Sequence, residues 1–432
     1  MTLTRIKSLQ VKYYPPAINL KLDEGGKLRE KQIPLPPISR NTDITSLAQK
    51  IITENSEFRQ KHISKLEEAL DEILKMQLIE YSNFFLQHVH RTHALPLTDC
   101  AFNKMGELYV TSSYDRSCAI WETESGRRVA SCNGHKNCVY SCCFNLPYGN
   151  LIGTGSLDHN AAIWSSSDGS LLHMLKGHTK EVVHVKFDQS GKYFASGGMD
   201  CIAKVWDVKT GDCLNTFDEH AQEIVTVDFH SSEPTLLTAS FDKTARLWDL
   251  RSGDCISCFR GHNGDVVGAY FSNDGSYAVT GSLDRTGRIW DIRSSQPLYV
   301  LRGHTGEVVN VAFSVDSSKV ATSSSDKTAK VWDAKTGKLI STCEGHREEV
   351  GKVVFSPQGS RVMTASDDFT CRIWDVEDGN CMEVLEGHSD VVITCAYNYG
   401  GDRIITASKD NTVRQWKAGE VTEPEDDDLL FE

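Results

Sequence analysis

From about residue 83 to 417 the chain repeats one arrangement of apolar and polar positions. Between Glu223 and Phe259 it reads as short alternating runs, EIVTVDF, TLLTAS, ARLWD and CISCF, separated by the polar turns SSEP, FDKT and GD. Alternation with period two over a few residues, bounded by Gly, Asp, Ser and Pro, predicts half-buried strands, here four to a unit. The register of the units is written in tryptophan. Trp121, Trp164, Trp206, Trp248, Trp290, Trp332, Trp374 and Trp416 are all the tryptophans of the chain, spaced 42 residues apart except for a first step of 43. His93, His135, His178, His220, His262, His304, His346 and His388 keep the same spacing, as do Asp115, Asp158, Asp200, Asp242, Asp284, Asp326, Asp368 and Asp410. The irregular steps involve the second unit, where LPYGN predicts a loop longer by one residue. A period of about 40 to 45 residues in an all-β pattern predicts a radial array of four-stranded sheets.

Residues 1–82 follow a different pattern. KSLQVKYY, a break at Pro15-Pro16, INLKL, a turn at Gly25-Gly26 and KLREKQIPL predict short strands and a hairpin. Asn41 or Thr42 is placed to cap a helix over 43–54, and a second helix is predicted from about Glu57 to Ile79. In the second, Ile63, Leu66, Leu70, Ile73 and Leu74 form an apolar stripe beside Lys65, Glu67, Glu68, Asp71 and Glu72. Burial against the hairpin or the rim of the array is the expected use of that stripe. The organisation expected is therefore a small α+β module over 1–82, the repeat array over 83–417 and an acidic, disordered tail over 418–432.

Composition adds exclusions. An apolar content of 39% and a charged content of 24% suit a globular chain. No apolar run approaches the roughly 18 residues of a membrane helix, and the N-terminus lacks the apolar core of a signal peptide, so a cytosolic protein without membrane insertion is expected. The 14 cysteines lie between Cys100 and Cys395. Cys213, Cys255 and Cys381 each fall seven residues after a repeat tryptophan, where small core side chains on strands are expected. Neither disulfides nor a metal is expected, because the single C-x-x-C, Cys255 to Cys258, has no second pair. The net charge of −13 divides into +2 for residues 1–82, −6 for 417–432 and −9 for the array. Such a field disfavours nucleic acid and favours basic or amphipathic protein segments.

The recurring histidine, turn aspartate and Trp-Asp pair, in register through eight units, resemble the WD-repeat β-propellers. The resemblance implies an all-β, eight-bladed propeller preceded by the small module. It also implies a buried hydrogen-bonded set in each blade made by the histidine, the aspartate, a strand hydroxyl and the tryptophan. Ser113, Ser156, Ser240, Ser282, Ser324, Ser366 and Ser408 are the expected hydroxyls, and Gly198 would leave the third blade incomplete. The eight tryptophans are then structural. A catalytic His-Asp-Ser set is rejected, since eight copies make no enzymatic sense; no phosphate loop, cofactor site or metal site is read, and the chain is expected not to be an enzyme. The family also implies that residues near 83–90 supply the outer strand of the last blade.

By the same geometry, the top of the ring is faced by the residue three after each histidine, with that five after it, and by the residue before each turn aspartate. Five consecutive blades place a carboxylate at the first position, Glu181, Glu223, Asp265, Glu307 and Glu349. Tyr114, Leu157, Met199, Phe241 and Leu283 place apolar side chains at the second. Together these ten residues are the expected partner surface.

KSLQVKYYPPAINL at residues 7–20, followed by a mixed module, a helix and eight repeats, is similar to the dynein assembly factors with WD repeats, the outer row dynein assembly protein 16 family. The resemblance does not extend to the acidic tail. It implies a monomeric adaptor in the cytoplasm, the cilium or flagellum and its basal region. Its partners would be outer-arm axonemal dynein and an intraflagellar transport complex B subunit, with a cleft between module and propeller as a second surface. The alternative is a WD-repeat substrate receptor of a ubiquitin ligase or a general signalling scaffold.

Overall fold

The computed structural model describes residues 5–12, 17–24, 27–35, 42–55, 57–59, 62–77 and 79–419. Its first element is an antiparallel meander, β1 (Arg5–Lys12), β2 (Ala17–Glu24) and β3 (Lys27–Pro34), with β2 central. Alternation sorts the faces of β2, so that Ile18, Leu20 and Leu22 are buried while Asn19 and Lys21 are not. Helices α1 (Ile44–Glu54) and α2 (Ile63–Gln77) pack into the same core. Leu66, Leu70 and Ile73 of α2 meet Ile18, Leu20 and Leu22 of β2 and Ala48 and Ile51 of α1, with Ile63 and Leu74 half-buried beside them. The amphipathic stripe is thus committed to this segment's own sheet.

Two helix starts differ from the sequence reading. Asp43, rather than Asn41 or Thr42, caps α1, its carboxylate accepting the Thr45 and Ser46 amides at 3.1 and 3.3 Å. A charged acceptor there also meets the positive end of the helix dipole. α2 begins at Ile63 rather than Glu57, because the preceding residues are held in turns. The Phe58 amide donates to the Asn55 carbonyl, Phe58 is buried, and Glu57 pairs with Lys31 at 2.8 Å. The Pro15-Pro16 break, the Gly25-Gly26 turn and residues 420–432 lie outside the described residues.

From residue 84 onward the strands form eight four-stranded antiparallel sheets. In blade four, for example, Ile224–Phe229 is innermost, followed outward by Thr235–Ser240, Thr244–Asp249 and Cys255–Arg260. The innermost strands touch their neighbours in cyclic order, and that of blade eight (Val392–Tyr397) touches that of blade one (Leu97–Phe102). The ring is therefore closed. Strand β4 (Phe84–His90) closes it, pairing with Val413–Ala418 so that Trp416 stands opposite Leu86. One blade is thereby built from both ends of the array, which removes two free sheet edges. The longer loop of the second unit spans residues 145–150, between Val139–Phe144 and Leu151–Ser156.

Each tryptophan is packed between blades. Trp206 of blade three lies against Ala161, Ile163 and Leu175 of blade two, and Trp121 of blade one lies against Ile405, Ala407 and Val413 of blade eight. Truncating such a side chain to alanine costs about 3 to 5 kcal/mol. The cysteines after the tryptophans are not core residues. Cys213 and Cys381 are exposed and Cys255 is half-buried, because each opens an outermost strand beside a register shift, away from the inter-blade layer. All 14 cysteines are free thiols.

Candidate functional site

Hydrogen bonds inside each blade show what the repeated polar residues do. In blade six the Trp332 indole N–H donates to Thr322 Oγ1 at 3.0 Å, and Thr322 Oγ1 stands 2.8 Å from His304 Nε2. His304 Nδ1 stands 2.8 Å from Asp326 Oδ2, which also accepts the Thr305 amide at 2.9 Å. With the carboxylate accepting from Nδ1–H, Nε2 is left as the acceptor, and the threonine hydroxyl donates to it. The relay runs from tryptophan through hydroxyl and imidazole to carboxylate.

The hydroxyl is not the serine expected. Thr111, Thr154, Ser196, Thr238, Thr280, Thr322, Thr364 and Thr406 occupy the relay, each two residues before the expected position. Ser113, Ser156, Ser240, Ser282, Ser324, Ser366 and Ser408 instead accept the amide of the turn aspartate, as Ser156 does from Asp158 at 3.1 Å. Blade three is therefore complete through Ser196, despite Gly198. At Gly198 a Cβ would stand 2.6 Å from Asp200 Oδ1, and His178 Nδ1 lies 3.0 Å from both carboxylate oxygens. The aspartate has moved into the space that serine fills elsewhere.

These relays are buried and electrically quiet. Burial holds His262, His304 and His388 below the ordinary imidazole value. Burial also works against Asp326, but hydrogen bonds from Thr328, His304 and the Thr305 amide outweigh it and hold the carboxyl down to about 2. The set is an inter-strand brace.

The top face is assembled in pairs by the backbone. The carbonyl three residues after each histidine accepts the amide of the residue before the turn aspartate. Glu181 thus accepts from Met199 at 2.8 Å, Glu223 from Phe241 at 3.0 Å and Asp265 from Leu283 at 3.0 Å. Pro96 accepts from Tyr114, Cys138 from Leu157, Glu307 from Ser325 and Glu349 from Asp367. Blades three, four and five therefore each set one carboxylate beside one apolar side chain. Glu181, Glu223, Asp265 and Glu349 are half-buried and Glu307 is exposed; Leu157, Met199, Phe241 and Leu283 are half-buried and Tyr114 exposed. Among the described residues none of the five carboxylates enters an ion pair. Burial, then the neighbouring charges of Asp367 and Glu307, raise the Glu349 carboxyl. Leu95 and Tyr140 are exposed apolar residues beside Tyr114 and Leu157 on blades one and two.

The family model described as WD domain, G-beta repeat matches residues 84–122, 126–165, 169–207, 211–249, 253–291, 295–333, 337–375 and 379–417. The chain belongs to the WD40 repeat family. Among curated proteins this WD40 chain is 41% identical over 152 residues to the mouse (Mus musculus) dynein assembly factor with WD repeat domains 1, a match covering 34% of this chain and 35% of that protein. The human (Homo sapiens) protein of the same name is 38% identical over 148 residues, with the same shares. The matches thus span about a third of the relatives' length. Among solved structures, the crystal structure of the computationally designed Ika8 protein is similar, with a TM-score of 0.68 and 26% identity, covering 75% of this chain and 97% of that one.

WD40 marks explain the scaffold and say nothing of the inner wall of the ring. A central cavity of about 470 Å³ is lined by the innermost strands of blades one to seven, chiefly from two register positions. Blade eight, outside the lining, has Thr394 and Ala396 in the same register, whereas blades one, three, four, five and seven contribute Asp99, His184 and Lys186, Asp228, Tyr270 and Lys352 to the cavity. Sequence reasoning passed over these residues, although a column in which repeats disagree is a legible signal.

Proposed function

We propose that this chain is a non-enzymatic adaptor that links preassembled outer-arm axonemal dynein to the intraflagellar transport train. It would act in the cytoplasm, at the base of the cilium or flagellum, and within it. The similarity to proteins named dynein assembly factors supports the choice of cargo. Commitment of the repeated His, Asp, Thr and Trp groups to the scaffold supports a binding rather than a chemical role. The observation that carries the reading is the run Glu181 with Met199, Glu223 with Phe241 and Asp265 with Leu283 across three adjacent blades. A row of carboxylates beside a row of apolar side chains suits an amphipathic segment with basic and apolar residues on one side. Dynein is assigned to this broad face.

The transport complex B subunit is assigned to the cleft beside residues 1–82. Where the chain leaves that segment it is fastened to blade seven, Glu80 lying 3.9 Å from Arg361 and the Phe84 amide donating to Glu383 at 2.7 Å. Such fastening would give the second surface a defined place.

The test is affinity purification from ciliated cells with the triple variant Glu181→Lys, Glu223→Lys and Asp265→Lys. Axonemal dynein should be lost, transport-train subunits retained and the thermal midpoint unchanged. Retention of both partners sinks the assignment of the broad face. Recovery of cullin subunits in place of dynein would favour a ubiquitin-ligase receptor.

A further inference from the structure

The inner wall of the ring holds polar groups that the fold does not require. At the position of Lys352, blades four and eight carry Thr226 and Thr394, and at that of Lys186 blade eight carries Ala396. Charged side chains at such places cost desolvation that threonine and alanine avoid.

The groups divide by what they are already doing. Both carboxylates are committed: Asp228 accepts Lys186 Nζ at 3.1 Å and the Phe271 amide at 2.9 Å. Asp99 accepts the Cys100 and Cys142 amides at 2.9 and 3.2 Å and the Ser141 hydroxyl at 3.3 Å. The donors are not committed. His184 Nδ1 accepts the Val227 amide at 3.3 Å, and burial followed by the charges of Lys186 and Lys352 pushes its pKa down to about 3, so the neutral ring offers Nε2–H. Asn310 Oδ1 accepts the Val353 amide at 3.4 Å, which leaves its amide group to donate. Among the described residues the Lys352 ammonium and the Tyr270 hydroxyl have no hydrogen-bond partner. Burial opposes the charge of Lys352, but Tyr270 and Asp99 outweigh it and raise its pKa.

We infer that the central cavity is a binding site for a small organic oxyanion, bearing phosphate or carboxylate, held by Lys352, Asn310, His184 and Tyr270. Donors without acceptors, beside carboxylates already engaged by backbone amides, a hydroxyl and Lys186, favour an acceptor-rich ligand over a cation. Lys186 and Lys352 balance Asp99 and Asp228, so an added anion meets no net negative charge. A volume of about 470 Å³ exceeds what a bare phosphate fills and lies in the range of small-molecule pockets. The site is separate from the top-face pairs, and its existence does not depend on the partner assigned to them.

Binding is measured by calorimetry and thermal shift on the purified full chain, with inorganic phosphate and citrate as probes for the two oxyanion chemistries. Saturable binding of one probe should weaken by about tenfold or more in Lys352→Thr, which installs the side chain of blades four and eight. Lys338→Thr, on an exposed turn, should bind as the parent does. If Lys352→Thr lowers the unliganded midpoint, Tyr270→Phe removes one donor, and Asn310→Ala one donor together with the acceptor of the Val353 amide, neither touching the charge, and each should weaken binding. No saturable binding of either probe by the parent chain overturns the site, and so does undiminished binding by all three cavity variants.

Discussion

His90 stacks on Trp121 across the seam of the ring, with centroids 4.2 Å apart and planes inclined by 28°. It stands opposite Val413, in the outer-strand place that Leu175, Phe217, Phe259 and Leu301 fill in other blades, all buried. Its Nε2 is buried without a partner, and burial, then the charge of His88, push its pKa from 6.5 to about 4. A folded value below the ordinary one favours the neutral ring, so this contribution is complete above pH 6.5 and is lost as pH falls towards 4. His90→Phe should raise stability by about 1 to 2 kcal/mol and flatten the thermal midpoint across that window. An unchanged pH slope in the variant contradicts this account of the seam.

The relay assigns very different weights to two hydroxyls on one strand. Thr322→Val keeps the shape but orphans the Trp332 indole N–H and His304 Nε2, for a loss of about 2 to 4 kcal/mol. Ser324→Ala removes only the acceptor of the Asp326 amide, for a loss of about 1 kcal/mol. Urea denaturation of the two variants checks the order, and equal losses would return the serine to the relay.

Acid should act in a second, lower window. All eight turn aspartates are held below the ordinary value of 3.8, with Asp326 and Asp410 at about 2. A depressed carboxyl stabilises the fold above its unfolded value and loses that contribution as pH falls through the folded one. Urea midpoints should therefore drop steeply between pH about 4 and about 2, below the window of His90. A midpoint that stays level there would show that protonating these carboxyls costs the fold nothing.

Much of this was legible because period and burial are the same fact in a ring: a residue that recurs each 42 positions meets the same neighbours each time. The blade count and the stripe of α2 followed from spacing, whereas the seam strand followed from the resemblance to the WD-repeat propellers. The hydroxyl did not, because residues two apart on a strand face the same side, and alternation cannot choose between Thr322 and Ser324. The column without exception was the earlier one, ending in a hydroxyl in all eight blades, whereas Gly198 interrupts the later. Cys213 and Cys381 misled for a related reason, since strand periodicity does not tell an outermost strand from an inner one. Lys352 and His184 escaped because a period highlights what repeats, and the cavity is lined by what does not.

Gly198 offers a direct check of that column. Its φ is not in the left-handed region, so a side chain is compatible with the backbone, and serine there would regain an acceptor for the Asp200 amide. Asp200 Oδ1 and the buried His178 Nδ1, 2.6 and 2.8 Å from the new Cβ, must both move away, towards the arrangement of blade two, where Asp158 meets His135 through one oxygen at 2.9 Å. Gly198→Ser should then raise the thermal midpoint, worth about 0.5 to 1 kcal/mol from reduced unfolded-chain entropy. A lowered midpoint would show that the carboxylate position in blade three is fixed by more than the missing serine.

The two rows of the top face should fail in different ways. Carboxylates on a half-exposed rim steer association, whereas apolar anchors hold the complex once formed. The triple variant Glu181→Lys, Glu223→Lys and Asp265→Lys should slow association of dynein-containing extract on the immobilised chain and remove most of its salt dependence, leaving dissociation nearly as before. Phe241→Ala should leave the salt dependence alone and speed dissociation by about tenfold, the loss expected of a central aromatic contact. Because Phe241 is half-buried, its variant is compared at equal folded fraction, with the thermal midpoint measured alongside. If both variants change only the dissociation rate, the carboxylates are local braces for neighbouring turns and the surface selects its partner by shape rather than charge.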